Sequence, residues 1–305
     1  MTTVFRIGTR GSPLALTQAR MVAAALCAAH GWDDAAVALV PIRTTGDRVQ
    51  DRALAEIGGK ALWTRELDRA LLAQEIDCAV HSMKDVETVR PASIAIAALL
   101  PRADVRDRLI GADSIAALPD GAVVGTSSPR RRAQLLRLRP DLTIVLLRGN
   151  VDTRLGKVAD GSVAATLLAA AGLDRLGRDG VGAAVPLDVM LPAPAQGAVG
   201  VEARADDLAT RHLLAAIDDH ATHACVAVER GLLAALKADC HSPVAALARI
   251  VGDRLMLDAE LFTEDGTQHI AGQAAGGVGD PTVGAVLARD LLARAPDAVA
   301  RLFAG

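Results

Sequence analysis

The sequence predicts an α/β chain of two lobes with mixed sheets, followed by a small α+β domain with a three-stranded antiparallel sheet. Three observations predict it. Short apolar runs alternate with stretches of helical periodicity through the first two thirds, which implies largely parallel or mixed sheets with helices on both faces. A strand, then Gly-Thr, then Ser-Pro opening a helix occurs twice: at Ile7-Gly8-Thr9 with Ser12-Pro13, and at Val124-Gly125-Thr126 with Ser128-Pro129. Ser-Pro helix starts are common, so the echo reads either as two related lobes or as coincidence. From about Asp219 the pattern becomes helix, three alternating stretches and helix. A chain of 305 residues is long enough for two or three domains, each with its own core.

In chain order, Val4 to Gly8 reads as a strand, and Ser12-Pro13 supplies a cap and first position for a helix to about Ala29, stopped by His30-Gly31. Val37 to Arg43 is the next strand. Thr44 to Lys60 is a long polar connection, of the length that usually serves function or motion. Periodicity resumes through Leu62, Glu66, Leu67, Ala70 and Leu71, and the apolar run Ile76 to Val80 reads as a buried strand leading into the polar loop His81 to Val86. After the run Ile94 to Leu100, the charged Pro101 to Asp104 marks a crossing. The second lobe continues with strands Ala122 to Gly125, Leu142 to Leu147 and Val163 to Ala169, and with helices after Pro129, near Val151 to Ala159 and over Ala170 to Leu176. Pro192 to Gly197 reads as the return crossing, with strand Ala198 to Ala203 and helix Leu208 to Ile217 rejoining the first lobe. A helix through Val226 to Leu236, strands Val244 to Val251, Leu255 to Phe262 and Thr267 to Ala271, and a helix near Thr282 to Ala295 complete the chain. The expected domains are therefore residues 1–100 with 197–217, 101–196, and 218–305.

Half the chain is hydrophobic, 51%, yet only 2% is aromatic and there is no Tyr, so the cores must be built from Ala, Val, Leu and Ile, and base-stacking platforms are scarce. The net charge of -3 argues against a general nucleic-acid binder or a basic membrane-surface protein. Four cysteines, Cys27, Cys78, Cys225 and Cys240, form no CxxC pair, which points away from zinc and from a disulfide framework. With no basic leader, apolar leader core or spanning stretch, a cytoplasmic setting is expected. No heptad or long apolar strip demands assembly, so a monomer is expected.

Ligands of open α/β sheets bind beyond the carboxyl ends of strands, which is where His81, Lys84 and Asp85 fall. The alternative for this stretch is a solvated turn. In the second lobe Arg130, Arg131, Arg132, Arg148 and Arg154 gather near helix starts and strand ends. They read as a site for carboxylate or phosphate, or as a basic helix face. Arg10 and Ser12 hold the equivalent place in the first lobe. Cys240 lies between two elements beside His241, as a nucleophile or as a small core residue. No P-loop, dinucleotide fingerprint or HExxH motif occurs, and no metal is expected.

Along essentially its whole length the sequence resembles the porphobilinogen deaminase (hydroxymethylbilane synthase) family. The matching stretches are Thr9-Arg10-Gly11-Ser12-Pro13-Leu14-Ala15-Leu16, Gly58-Gly59-Lys60, His81-Ser82-Met83-Lys84-Asp85-Val86, Gly125-Thr126-Ser127-Ser128 with its arginines, Leu147-Arg148-Gly149-Asn150-Val151, Ala170 to Gly177, and Gln196-Gly197-Ala198-Val199-Gly200. The resemblance implies two lobes like those of periplasmic ligand-binding proteins with the active site in the cleft between them, and a third domain carrying a covalent dipyrromethane. It implies a transferase that joins four porphobilinogen molecules head to tail with release of ammonia. Cys240 matches the attachment cysteine and Asp85 the catalytic aspartate. Lys84, Ser127, Arg130, Arg131 and Arg148 match cofactor-binding positions, and Arg10, Ser12, Lys60, Arg154 and Arg175 match positions that hold the substrate's acid groups. His81 is expected to be structural. Glu56 stands where many members carry a basic residue, Trp63 where Phe is usual, and Val86-Glu87 where Val-Pro is common; His241-Ser242 falls in a variable part of the pattern. A two-lobed anion-binding or ligand-sensing protein is the alternative; it would need neither Asp85 nor Cys240.

Overall fold

The computed structural model describes residues 4–43 and 64–303. Lys60, Glu56 and Trp63, with the connection Thr44 to Lys60, lie outside the described residues. By its contacts the chain parts into two compact units, Met1–Ala103 with Gly197–His223, and Asp104–Gln196 with Ala224–Gly305.

In the first unit β1 (Phe5–Arg10) pairs in parallel with β2 (Val37–Ile42) and with β3 (Cys78–Ser82). The late strand β10 (Val199–Arg204) enters antiparallel between β3 and β4 (Ile94–Leu99), giving the order β2-β1-β3-β10-β4. Helix α1 (Pro13–His30) starts with the side chain of Ser12 accepting from Ala15 N and Pro13 in the first turn, and it stops at Gly31, whose φ of 64° is the left-handed conformation that glycine takes without a Cβ penalty. Helix α2 (Arg65–Leu72) buries Leu67, Ala70 and Leu71 with Ile76 and Ala79. The main core of this unit is Ile7, Val22, Leu26, Val80, Val199 and Val201 with their neighbours, mostly branched aliphatics and alanines, with Phe5 buried among them and Trp32 packed against the cluster.

The second unit repeats the pattern. Its β6 (Val123–Gly125) pairs in parallel with β7 (Thr143–Val145) and β8 (Ala165–Ala169), while β5 (Asp107–Ile110) lies antiparallel between β8 and β9 (Ala183–Ala184), in the order β7-β6-β8-β5-β9. β1 and β6 hold the same position in their sheets, so the Gly-Thr to Ser-Pro echo marks two related lobes. Helix α3 (Pro129–Leu138) starts at Ser128, whose side chain accepts from Arg131 N, and α4 (Val151–Ala159) at Asn150, whose side chain accepts from Thr153 N; α5 (Ala170–Arg175) follows β8 directly. The same unit holds the antiparallel sheet β11 (Val244–Val251), β12 (Arg254–Phe262) and β13 (His269–Gly277), covered by α7 (His220–Ala235) and α8 (Thr282–Arg294) around one apolar cluster. Between α5 and α7 the chain forms α6 (Leu208–Ala215), which packs Leu214 into the first core.

Two expectations need correction, and one strand was not expected. The strand expected over Ile76 to Val80 runs instead from Cys78 to Ser82, because β10 supplies partners as far as Gly200 for His81 and Val199 for Ser82. The strand expected over Thr267 to Ala271 is β13, which extends to Gly277 and pairs residue for residue with all of β12. Its Gly272 and Gly276 leave room for α8, since an added Cβ would press on Leu291 or Val283, and small residues in place of β-branched ones hid the strand. β5 also went unread. Its first residue is Asp107, a charge buried at 4% exposure just after the charged stretch Pro101 to Asp104.

Candidate active site

The turn Met83–Asp85 leaves the carboxyl end of β3, beside and parallel to β1, whose own carboxyl end carries Arg10 and then Ser12. The turn is tied down at several points. Gln18, buried on α1, bonds Ser82 through Nε2 to Oγ at 2.8 Å; Met83 N donates to Ala198 O at 3.1 Å; Val86 N closes onto Met83 O at 3.3 Å. Met83 is 1% exposed and packs against Gly200, where any Cβ would overlap its Sδ. With Met83 inward, Lys84 and Asp85 are left half-buried at the rim.

His81 is inside β3 at 6% exposure, its Nε2 3.3 Å from Glu202 Oε2 on β10. Glu202 is fully buried. Burial pushes its carboxyl up, but the hydrogen bond and charge of His81 and the charge and hydrogen bonds of Arg90 outweigh that and hold it down at about 2. Burial pushes Asp68 above the ordinary carboxylate range, with Arg90 only partly offsetting it. His81 thus belongs to a buried ionic cluster.

In the second unit β7, β6 and β8 are adjacent and parallel, so the segments that follow them share one edge of the sheet. They bear Ser127, Arg130 and Arg131 after β6, Arg148 and Arg154 after β7, and Arg175 after β8. Thr166 Oγ1 donates to Gly125 O at 2.8 Å and Thr126 N to Val145 O at 2.9 Å, fixing the start of these segments. Arg154 Nε donates to Gly149 O at 3.0 Å. Burial pushes the Arg175 guanidinium down, against the charge of Asp174.

Arg130 and Arg131 are more deeply placed than a ligand-facing helix start suggests, at 3% and 6% exposure. Arg130 Nη2 is 2.8 Å from Asp107 Oδ2, and Arg131 Nη2 is 2.7 Å from Oδ1. Their Nη1 atoms donate to Leu191 O and Leu167 O, both at 2.8 Å. Burial drives Asp107 up, but the charges and hydrogen bonds of the two arginines prevail and hold it far below the usual carboxylate range. Gln196 Nε2 adds a bond to the same carboxylate at 2.9 Å. Two guanidiniums on one carboxylate leave one surplus positive charge at the N-terminus of α3. Sequence reasoning missed Asp107, Glu202 and Arg90. The one available signal was that charged residues interrupt apolar runs next to strands.

Cys240 is exposed and in no disulfide. The turn that presents it is capped by Asp239, whose Oδ1 accepts from His241 N at 2.8 Å and whose N–H donates to Ser242 Oγ at 3.1 Å. The small-core alternative for this cysteine is thereby excluded. The sheet behind it is fixed to the second lobe: Glu229, fully buried on α7, accepts from Ala195 N at 2.5 Å and from Ala248 N at 2.7 Å, and Phe262, Ala245, Ala133 and Leu191 share a core.

Fold and groups together define an α/β protein of two five-stranded lobes, with basic side chains grouped beyond the strand ends and a third sheet that follows an exposed thiol. A family model described as "Porphobilinogen deaminase, dipyromethane cofactor binding domain" matches residues 5–212, and one described as "Porphobilinogen deaminase, C-terminal domain" matches residues 223–293. The chain is 60% identical over 305 residues to porphobilinogen deaminase of Sphingopyxis alaskensis, covering 98% of this chain and 96% of that one. It is 54% identical to the enzyme of Paracoccus denitrificans, covering 95% and 94%. A solved nutrient binding protein from Burkholderia cenocepacia, bound to methionine, aligns over 70% of this chain and 91% of its own at 16% identity, with a TM-score of 0.43. The chain belongs to the porphobilinogen deaminase family, transferases of tetrapyrrole biosynthesis that work with a dipyrromethane cofactor. Among the described residues no helix is long and apolar enough to cross a membrane.

Proposed function

We propose that Asp85 and Cys240 carry the family's reaction in this chain, the head-to-tail condensation of four porphobilinogen molecules into linear hydroxymethylbilane with release of ammonia. The observation that carries the reading is how the two groups are presented: a carboxylate on a turn tied into the sheet and an exposed thiol on a capped turn. The donor set fits dipyrromethane, since an accessible thiol is present and the cations beyond the strand ends suit acetate and propionate groups. Cys240 would hold it as a thioether, with Lys84, Asp85, Ser127, Arg130, Arg131 and Arg148 around its acids and ring nitrogens. When bound, this group supplies the nucleophilic pyrrole carbon to which the first substrate is joined.

Asp85 acts on the substrate. As ammonia leaves the aminomethyl carbon, positive charge spreads over the pyrrole, and an ionised carboxylate stabilises it. At roughly 4 Å and an effective dielectric of about 20 the attraction is on the order of 4 kcal/mol, or about a thousandfold in rate if expressed only in the transition state. The same carboxylate holds or passes the proton exchanged with the leaving amine. Arg10, Ser12, Lys60, Arg154 and Arg175 orient the substrate's acid groups. The reading makes the enzyme a cytoplasmic monomer, and a thioether suits a reducing compartment because thiols do not exchange it.

Intact mass spectrometry tests the assignment. The purified protein is expected to exceed its sequence mass by a two-pyrrole adduct, which Cys240→Ser abolishes. Asp85→Asn is expected to keep the adduct and lose turnover by about a thousandfold. A wild-type chain that gains no adduct from porphobilinogen, or an Asp85→Asn variant with normal turnover, refutes it.

A further inference from the structure

Arg90 lies outside every motif that carries the family resemblance, yet its guanidinium is bonded to side chains from three places around the Asp85 turn. Nε and Nη2 fork onto Glu202 Oε1 and Oε2 at 2.8 and 2.9 Å. Nη2 is also 2.5 Å from Asp68 Oδ1 on α2, and Nη1 is 2.5 Å from Glu87 Oε2. Glu87 in turn accepts from Thr64 Oγ1 at 2.8 Å. The Arg90 side chain is 8% exposed, Glu202 0%, Asp68 15% and Glu87 20%.

Three carboxylates around one guanidinium, with His81 as the other titratable group on Glu202, make a poor stabilising device. Desolvation consumes most of the Coulombic gain, and apolar residues of similar volume would stabilise as well or better. What the cluster provides is geometry. Glu202 pairs with Ala79 across the β10–β3 ladder and also contacts His81, four residues before Asp85, while Glu87 stands two residues after it. One guanidinium therefore fixes both flanks of the turn.

We propose that Arg90 is a positioning residue for the Asp85 carboxylate, acting through Glu87 and Glu202; this rests on Asp85 being the catalytic group. The test is steady-state kinetics on adduct-loaded protein, with intact mass and thermal unfolding measured on the same samples. Arg90→Met is expected to keep the adduct and to lower kcat by between about tenfold and a hundredfold, the cost of a misplaced reacting group, with KM within about twofold. Arg90→Lys, which keeps the charge without the fork, is expected to fall between. Arg6→Gln breaks the Arg6–Asp77 pair at 2.7 Å in the same unit and serves as the control, lowering Tm with kcat unchanged. If Arg90→Met behaves like that control, the inference is overturned and Arg90 is structural. If Arg90→Met does not fold, Glu87→Gln decides: a kcat loss of about threefold or more supports the inference, and full kcat overturns it. Failure of the underlying reading looks different, because Asp85→Asn would then turn over normally.

Discussion

Asp107→Asn changes no volume and removes one charge, which makes it a clean probe of the second unit. Wild-type Asp107 holds Arg130 and Arg131 at 2.8 and 2.7 Å, with side-chain exposures of 2%, 4% and 7% for the three residues. At an effective dielectric of about 20 each close ion pair is on the order of 4 kcal/mol, offset by desolvation and by repulsion between the two guanidiniums. Removing one partner of a buried pair typically costs about 3–5 kcal/mol, because the remaining charge stays buried. At about 2–4 °C per kcal/mol for a unit of this size, the unfolding transition is expected to drop by about 10 °C. The sign with pH follows from the lowered carboxyl. Stability from a depressed Asp is present above its unfolded pKa and lost as pH falls through the folded one, which here lies far into acid. The deficit of the variant should therefore persist unchanged from neutral pH down to about 5. Differential scanning calorimetry of both proteins across that range is the assay. A drop under about 3 °C refutes the reasoning, as does a deficit that vanishes by pH 5.

Glu202→Gln tests the first cluster in the same way but with a window in reach. The Glu202 carboxyl is lowered from 4.5 to about 2, worth on the order of 3 kcal/mol above pH 4.5 and lost as pH falls toward 2. The Tm gap to wild type should be largest near neutrality and close toward pH 3; a constant gap contradicts the linkage. Asp68, raised by burial, works in the opposite sense and softens the acid loss. Gly200→Ala places a Cβ into Met83 Sδ and Cγ, so overpacking of about 1–3 kcal/mol is expected with a fall in kcat, because Met83 opens the Asp85 turn. Wild-type stability and turnover in that variant would show that the turn tolerates displacement.

Local chemistry made much of this protein legible. The Ser-Pro caps, the Gly31 stop and the apolar runs marked α1, α3 and most of the strands, since caps and periodicity act within a few residues. The motifs around Asp85 and in the segments after β1, β6, β7 and β8 marked the family. Less legible were elements whose reason lies elsewhere in the chain. The end of β3 depends on β10, more than a hundred residues later, and β13 is a strand because β12 pairs with all of it although its own glycines and alanines disfavour one.

The sequence by itself determined the family and the lobe pattern. Those follow from short-range periodicity and from motifs whose spacing is carried in the chain. Only the tertiary structure decided what each charge does. It turned Arg130 and Arg131 toward Asp107, gave Arg90 three carboxylates to hold, and set Cys240 on an exposed turn. Burial and partners fix the meaning of a charged side chain, and both depend on segments far away in sequence.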